Sequence, residues 1–224
     1  MHALTVSMSR AMNKRLTHVR ITAMNELQRR FFNENVDIFE PPLPKGVPPR
    51  LNATVKAGGI QPGDTVLDVG TGTGILIPFI LKHRPATIHA CDLAENMLER
   101  VTHKFPRVVT HRSDISELAL PTDSLDAAFI NGCFSNIMDK VRSLDNLHRM
   151  LRPGGRLVIS HPLGRSFIVE LRQNAPFHLD LLPGEVEAKT LLEAHGFRIT
   201  RFYDQPEFYL VVAEARKSAG TMQP

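Results

Sequence analysis

Two aspartates and a run of alternate glycines are the residues of this 224-residue chain whose types and spacing could do chemistry. The stretch Thr65-Val-Leu-Asp-Val-Gly-Thr-Gly-Thr-Gly74 sets Asp68 two residues ahead of Gly70 and then repeats glycine at Gly72 and Gly74. Glycine suits a backbone that must turn sharply and let a ligand approach with no Cβ in the way. A dinucleotide fingerprint would read G-x-G-x-x-G, its amides aimed at a pyrophosphate, and the spacing here is different. No Lys or Arg follows in the turn, which excludes a phosphate-cradling P-loop. A carboxylate at the mouth of the turn suits a ligand with a cationic or zwitterionic tail. Asp92 follows Gly74 by 18 residues, close to where an acid accepts from the two hydroxyls of an unphosphorylated ribose. A helix N-cap is the other use of such an aspartate, and the two are compatible.

The elements that must position these residues follow from periodicity. Thr65 to Val69 is a short β-branched, apolar run and reads as a buried parallel strand. Residues 74 to 83 read as a helix, then Thr87–Asp92 as the second strand, 107–114 as the third and 125–132 as the fourth. A helix over 138–150 leads to a fifth strand at 156–160, a helix over 185–195 and a hairpin of strands at 197–203 and 207–213. Before the first strand, residues 9–38 read as a helix with Met24, Leu27, Phe31 and Phe32 on one face. Five prolines between Pro41 and Pro49 predict a stiff extended connector, and Leu51 to Ala57 a short helix. Residues 164–184 are longer than a tight connection and predict a second piece of lid.

Four strings, Val66-Leu-Asp-Val-Gly-Thr-Gly-Thr-Gly74, Asp92-Leu-Ala-Glu-Asn-Met-Leu98, Ser113-Asp114-Ile115 and Leu151-Arg-Pro-Gly-Gly155, together resemble the motifs of class I S-adenosylmethionine-dependent methyltransferases. The resemblance runs from about Leu51 to Ala215 and is loose over the N-terminal helix and over 164–184. It implies an α/β fold: a Rossmann-like, seven-stranded, mostly parallel sheet with a reversed last strand, helices on both faces and an N-terminal helical lid. It implies an organisation of arm and connector over 1–50, a cofactor domain over 51–215 and a flexible tail over 216–224. The cofactor it implies is S-adenosyl-L-methionine, held by Asp68, Gly70, Thr71, Gly72, Thr73, Gly74, Asp92, Leu93, Met97, Ser113, Asp114, Ile115 and Asn131. In that scheme Asp114 accepts from the adenine amino group, and Asp126 opens the fourth strand in a structural role.

The expected reaction is methyl transfer to a small-molecule acceptor by in-line displacement. Positioning supplies most of the rate in such a reaction, and a base is needed where the acceptor carries a proton. His161, directly after the fifth strand, is the candidate base. Phe31, Cys133, Arg165 and His178 are the candidate acceptor contacts, Arg165 for an anionic one. The chain lacks the Asn/Asp-Pro-Pro-Tyr/Phe string of adenine-amino methyltransferases and the Pro-Cys nucleophile of cytosine-5 enzymes. An aminopropyl transferase would want an acid at the end of the fourth strand, where this chain has Asn131. Transfer to protein or RNA and a non-catalytic cofactor-binding protein are the rival readings.

Hydrophobic residues make up 42% of the chain, enough for a sizeable core, and two cysteines cannot form a disulfide framework. The net charge of +4 is spread along the chain, with no dense basic block and no dedicated nucleic-acid module. No apolar run reaches membrane-spanning length. A cytoplasmic monomer or homodimer without a bound metal is the expectation. The first 25 residues hold Arg10, Lys14, Arg15 and Arg20 and no acid; they read as an arm of the fold or, alternatively, as a transit peptide to an organelle stroma or matrix.

Overall fold

Every second residue of the first strand, β1 (Thr65–Val69), packs on a different face of the sheet, and this alternation builds two cores. Leu67 and Val69 belong to one cluster with Leu144 and Leu147 of α5 (Lys140–Met150). Val66 belongs to the other, with Leu51 and Val55 of α2 (Val47–Ala57) and Ile77 and Ile80 of α3 (Ile77–Leu81). The same alternation runs through β4 (Leu125–Asn131), where Ala128 and Ile130 face one core and Ala127 and Phe129 the other. Truncating a fully buried residue such as Leu67 to Ala would cost about 2–5 kcal/mol. The structure, a computed structural model, describes residues 2–217; Met1 and residues 218–224 of the expected tail lie outside the described residues.

The remaining elements are α1 (His2–Glu34), β2 (Thr87–Asp92), α4 (Glu95–Lys104), β3 (Val109–Arg112), β5 (Leu151–His161), α6 (Gly164–Asn174), α7 (Glu185–Ala194), β6 (Phe197–Gln205) and β7 (Phe208–Ala215). The sheet order is β3-β2-β1-β4-β5-β7-β6. β1 pairs in parallel with both β2 and β4, and β7 runs antiparallel to β5 and β6. The seven-stranded, helix-covered sheet with its reversed last strand is the expected one. Strand order reverses on either side of β1, so the crevice for a ligand opens beyond the carboxyl ends of β1 and β4. Asp126 carries a structural load below it: its carboxylate accepts from Thr65 N at 2.7 Å and pairs with Arg152 at 2.7 Å.

Several boundaries differ from the sequence reading, each for a local reason. α1 ends at Glu34, and Val36–Phe39 forms a separate 3-10 turn. Asn35 stops the helix: its side-chain amide donates back to Phe31 O at 2.7 Å. α3 spans only Ile77–Leu81, because Pro78 is confined to a first turn and residues 72–76 form irregular turns. The proline-rich connector is extended only in part. Pro48 and Pro49 lie in the first turn of α2, where an N–H is not needed, so that helix starts four residues before Leu51. β3 is shorter than 107–114, and β5 begins at Leu151, ahead of the expected Arg156. The segment 164–184 opens with the helix α6.

α1 and the 3-10 turn after it lie against α4 and are fastened to it by a row of contacts. Arg29 pairs with Glu95, Asn33 Oδ1 accepts from Asn96 N at 3.0 Å, Asp37 pairs with Arg100 at 2.8 Å and Glu40 with Lys104 at 2.8 Å. On the N-terminal side the partners recur every three or four residues, and on α4 the steps from Asn96 to Arg100 to Lys104 are four residues, the spacing of one helix face. Phe31, Phe32 and Phe39 continue the packing, joined by Phe177 from the segment after α6, at ring separations of 5.3–5.8 Å.

Candidate functional site

The glycine turn after β1 places its residues in backbone conformations that side chains disfavour. Gly70, Gly72 and Gly74 have φ of 60°, 54° and 83°. They differ in what surrounds them. A Cβ on Gly70 would stand 2.4 Å from Cys133 Sγ, and one on Gly74 would meet Ile77, Phe105 and Val101 at 3.0–3.2 Å. At Gly72 nothing lies within 4 Å, because its Cα faces the open crevice. Gly74 is therefore a packing residue that lets the turn sit on the following helix, and it does not line the crevice as the sequence reading expected.

Three carboxylates converge on the crevice from the ends of successive strands. Asp68, near the end of β1, is 2% exposed and accepts the Thr71 hydroxyl at 2.7 Å. Burial pushes its carboxyl up to about 7 despite that hydrogen bond. Asp92, at the end of β2, accepts from Gly72 N and Ala94 N, each at 2.9 Å. Burial raises its pKa too, and these amides act against the rise. Asp114, just beyond β3, accepts from Ser116 N at 2.7 Å and from the Asn25 side chain at 2.6 Å. Asp92 is not the N-cap of α4, a place taken by Ala94, and no helix follows Asp114; both carboxylates instead accept from the amide two residues on, and each keeps lone pairs for a further donor.

A cavity of about 660 Å³ connects these groups with a second, apolar half. Its cofactor-side lining includes Asp68, Val69, Gly70, Thr71, Gly72, Thr73, Asp92, Leu93, Met97, Ser113, Asp114, Ile115 and Asn131. Asn131 Oδ1 accepts the Ser160 hydroxyl at 2.9 Å. The apolar half is walled by Phe31, Phe32, Ile38, Phe39 and Leu43 from the N-terminal segment and by Phe167, Ile168, Leu171 and Phe177 from α6 and beyond. Thr73 Oγ1 donates to Phe39 O at 2.9 Å, which ties the glycine turn to the roof.

The candidate acceptor contacts divide. Phe31 and Cys133 line the cavity, as does His161, the candidate base; Arg165 and His178 do not. Arg165 is engaged elsewhere, pairing with Asp204 at 2.9 Å and donating to Leu182 O. His178 sits at the surface on Asp180, which also pairs with Lys140. Cys133 Sγ lies 3.1 Å from Val69 O, and burial pushes its thiol well up, which suits a wall rather than a nucleophile. Asn25 and Gln28 were missed. Gln28 is 2% exposed and donates to Asn136 O at 3.0 Å, whereas Leu27, expected inside, is exposed. The inward stripe of α1 is 25-28-31-32; its first two members are polar, so hydrophobic periodicity cannot register them. The available signal was Gln28 at three and four residues from Phe31 and Phe32, with Asn25 one further step of three before it.

Residues 67–159 match the family model described as a methyltransferase domain. A demethylmenaquinone methyltransferase of Tropheryma whipplei (strain Twist) is 33% identical over 131 residues, 56% of this chain and 51% of that protein. The chain spans about half the length of the curated relatives it matches. Among solved structures, a SAM-dependent methyltransferase from Aquifex aeolicus aligns with a TM-score of 0.64 and 23% identity over 82% of this chain and 98% of that one. Geranyl diphosphate C-methyltransferase of Streptomyces coelicolor A3(2), in complex with Mg2+, geranyl diphosphate and S-adenosyl-L-homocysteine, aligns with a TM-score of 0.69 and 11% identity over 86% of this chain and 98% of that one. These likenesses agree on the fold, and the family match covers β1 through most of β5. Over residues 67–159 the chain thus matches the methyltransferase-domain family, on the fold that these solved structures share.

Proposed function

We propose that this protein transfers the methyl group of S-adenosyl-L-methionine to a small-molecule acceptor enclosed beneath α1 and α6. The observation that carries this reading is the two-part cavity, in which carboxylates line one half and apolar side chains the other, with no Lys, Arg or Glu in its lining among the described residues. The name of the Tropheryma whipplei relative, a demethylmenaquinone methyltransferase, supports an acceptor of small-molecule kind.

The residues present fit the cofactor. Gly72 leaves free space where a ligand backbone would pass, Asp92 has lone pairs for the ribose hydroxyls, and Asp114 has one for the adenine amino group. Asp68 would meet the cationic end of the methionine tail, and a cation there would favour its ionised form. When bound, the cofactor supplies a methyl group already activated by its sulfonium. What the chain must add is alignment and the exclusion of water. Phe31, Phe32, Phe39 and Phe177 close the apolar half, and Cys133 and Asn131 form the wall between the halves. In this scheme residues 51–215 form the methyltransferase domain and 1–50 its lid. Among the described residues no helix is long and apolar enough to cross a membrane.

Methyl-labelled S-adenosylmethionine incubated with the protein and a cell extract tests the reading. Label in small molecules is the expected result. Label in protein or RNA would overturn the acceptor class, and absence of transfer would overturn the activity.

A further inference from the structure

His161 ends β5, paired with Tyr209 of β7, and its ring is held from two sides. Leu163 N donates to Nδ1 at 3.2 Å. Phe167 stacks against the ring with centroids 5.5 Å apart and planes 27° from parallel. A ring nitrogen that accepts a hydrogen bond carries no proton, so the neutral imidazole must carry its proton on Nε2. The ring is 7% exposed and lines the cavity, and among the described residues Nε2 has no hydrogen-bond partner. Burial also pushes the imidazole down to about 4, which keeps it neutral at physiological pH.

The other polar groups of the cavity are largely committed. Asn25 donates to Asp114, Gln28 to Asn136 O, and the Asn131 carbonyl takes the Ser160 hydroxyl. The Asp side chains belong to the cofactor half. Among the described residues, an anionic acceptor would meet no side-chain cation, and a cationic one would meet no carboxylate in the apolar half.

Resting on the function proposed above, we infer that His161 is a hydrogen-bond donor to the acceptor and not its base: Nε2–H meets an oxygen of an uncharged, mainly apolar molecule, a phenol, quinol or ketone in type, whose body packs on Phe167, Phe31 and Phe177. In this arrangement the neutral ring cannot take a proton at Nε2, which already carries one. His161 selects acceptors that bring an oxygen lone pair to the end of β5, and rejects hydrocarbon analogues that leave the buried N–H unpaired.

The chain has no Trp, so naphthyl fluorescence reports binding cleanly. In the wild-type protein, long-range 1H–15N correlation should find His161 protonated at Nε2 and bare at Nδ1. Titrations of 1-naphthol, naphthalene and 1-naphthoate, with and without S-adenosyl-L-homocysteine, should give naphthol a preference of about tenfold over each of the others. His161→Phe should reduce the naphthol–naphthalene difference to within about twofold, and His161→Gln, which keeps a donor amide, should restore it. A proton on Nδ1, an unchanged preference in His161→Phe, or naphthoate binding as tightly as naphthol would overturn the inference. Calorimetry with S-adenosyl-L-homocysteine separates the two levels: failure to bind it sinks the underlying methyltransferase reading, while the tautomer and the naphthol preference stand or fall without it.

Discussion

The side-chain amide of Asn25 donates to Asp114 Oδ2 across 2.6 Å, joining the roof helix α1 to the end of β3. Asp114 Oδ1 already accepts from Ser116 N. Under the function proposed above, an adenine amino group approaching Oδ2 would share that oxygen with the Asn25 amide, and crowding there would set the roof against the ligand. Asn25→Ala should therefore speed association of S-adenosyl-L-homocysteine and tighten its binding by about threefold to tenfold, in line with one hydrogen bond to a charged acceptor. Stopped-flow and calorimetry would read it; weaker binding would show that Asn25 supports the site instead.

The segment after α1 is fastened to α4 by solvent-accessible ion pairs, each worth only about 0.5 kcal/mol. Arg100→Ala with Lys104→Ala should leave the melting temperature almost unchanged while the roof opens more often. Limited proteolysis at residues 40–46 should then run a few times faster, and high salt should reproduce that effect in the wild type. Equal cleavage rates in the two proteins at low salt would contradict it.

Asp68 lies in a core that resists its charge. Burial pushes its carboxyl up to about 7, from an ordinary carboxylate value of about 4, so burial removes stability as pH rises from about 4 to 7 and removes no more above that. Asp68→Asn should stabilise the ligand-free protein by an amount that grows across this window and levels off at no more than roughly 4 kcal/mol. The same substitution should weaken S-adenosyl-L-homocysteine binding. Chemical denaturation at several pH values checks the first part, and a gain that does not vary with pH would contradict it.

The glycine turn separates two kinds of damage. Gly70→Ala forces a Cβ onto the Cys133 side chain and should impair folding itself. Gly72→Ala meets no atom and pays only the cost of its left-handed backbone, about 1–2 kcal/mol. It should fold and yet lose most of its cofactor affinity, because the methyl group enters the crevice. Circular dichroism and calorimetry on the pair distinguish the two effects.

Much of the framework was legible in the sequence because it rests on local rules. The strand before Gly70, the spacing to Asp92 and the turn before Arg156 each follow from periodicity or turn chemistry, and Asp68, Asp92 and Asp114 do come together. What escaped was set by contacts far apart in the chain. Arg165 looked free for a ligand, but Asp204 claims it from 39 residues away. Asn25 and Gln28 read as surface residues because polarity on a helix signals solvent, whereas here they face a cavity. The proton position on His161 depends on the amide of Leu163, a detail of backbone direction that residue types do not encode.

The hydrogen bond from Thr73 to Phe39 O has a kinetic consequence. It staples the floor of the crevice to its cover, and α4, which begins just past Asp92, anchors the same cover through Arg100 and Lys104. Under the function proposed above, a spent cofactor leaving past Asp92 would first have to part these contacts, so each cycle would include a step in which the cover lifts, as in a batch reactor that empties between charges.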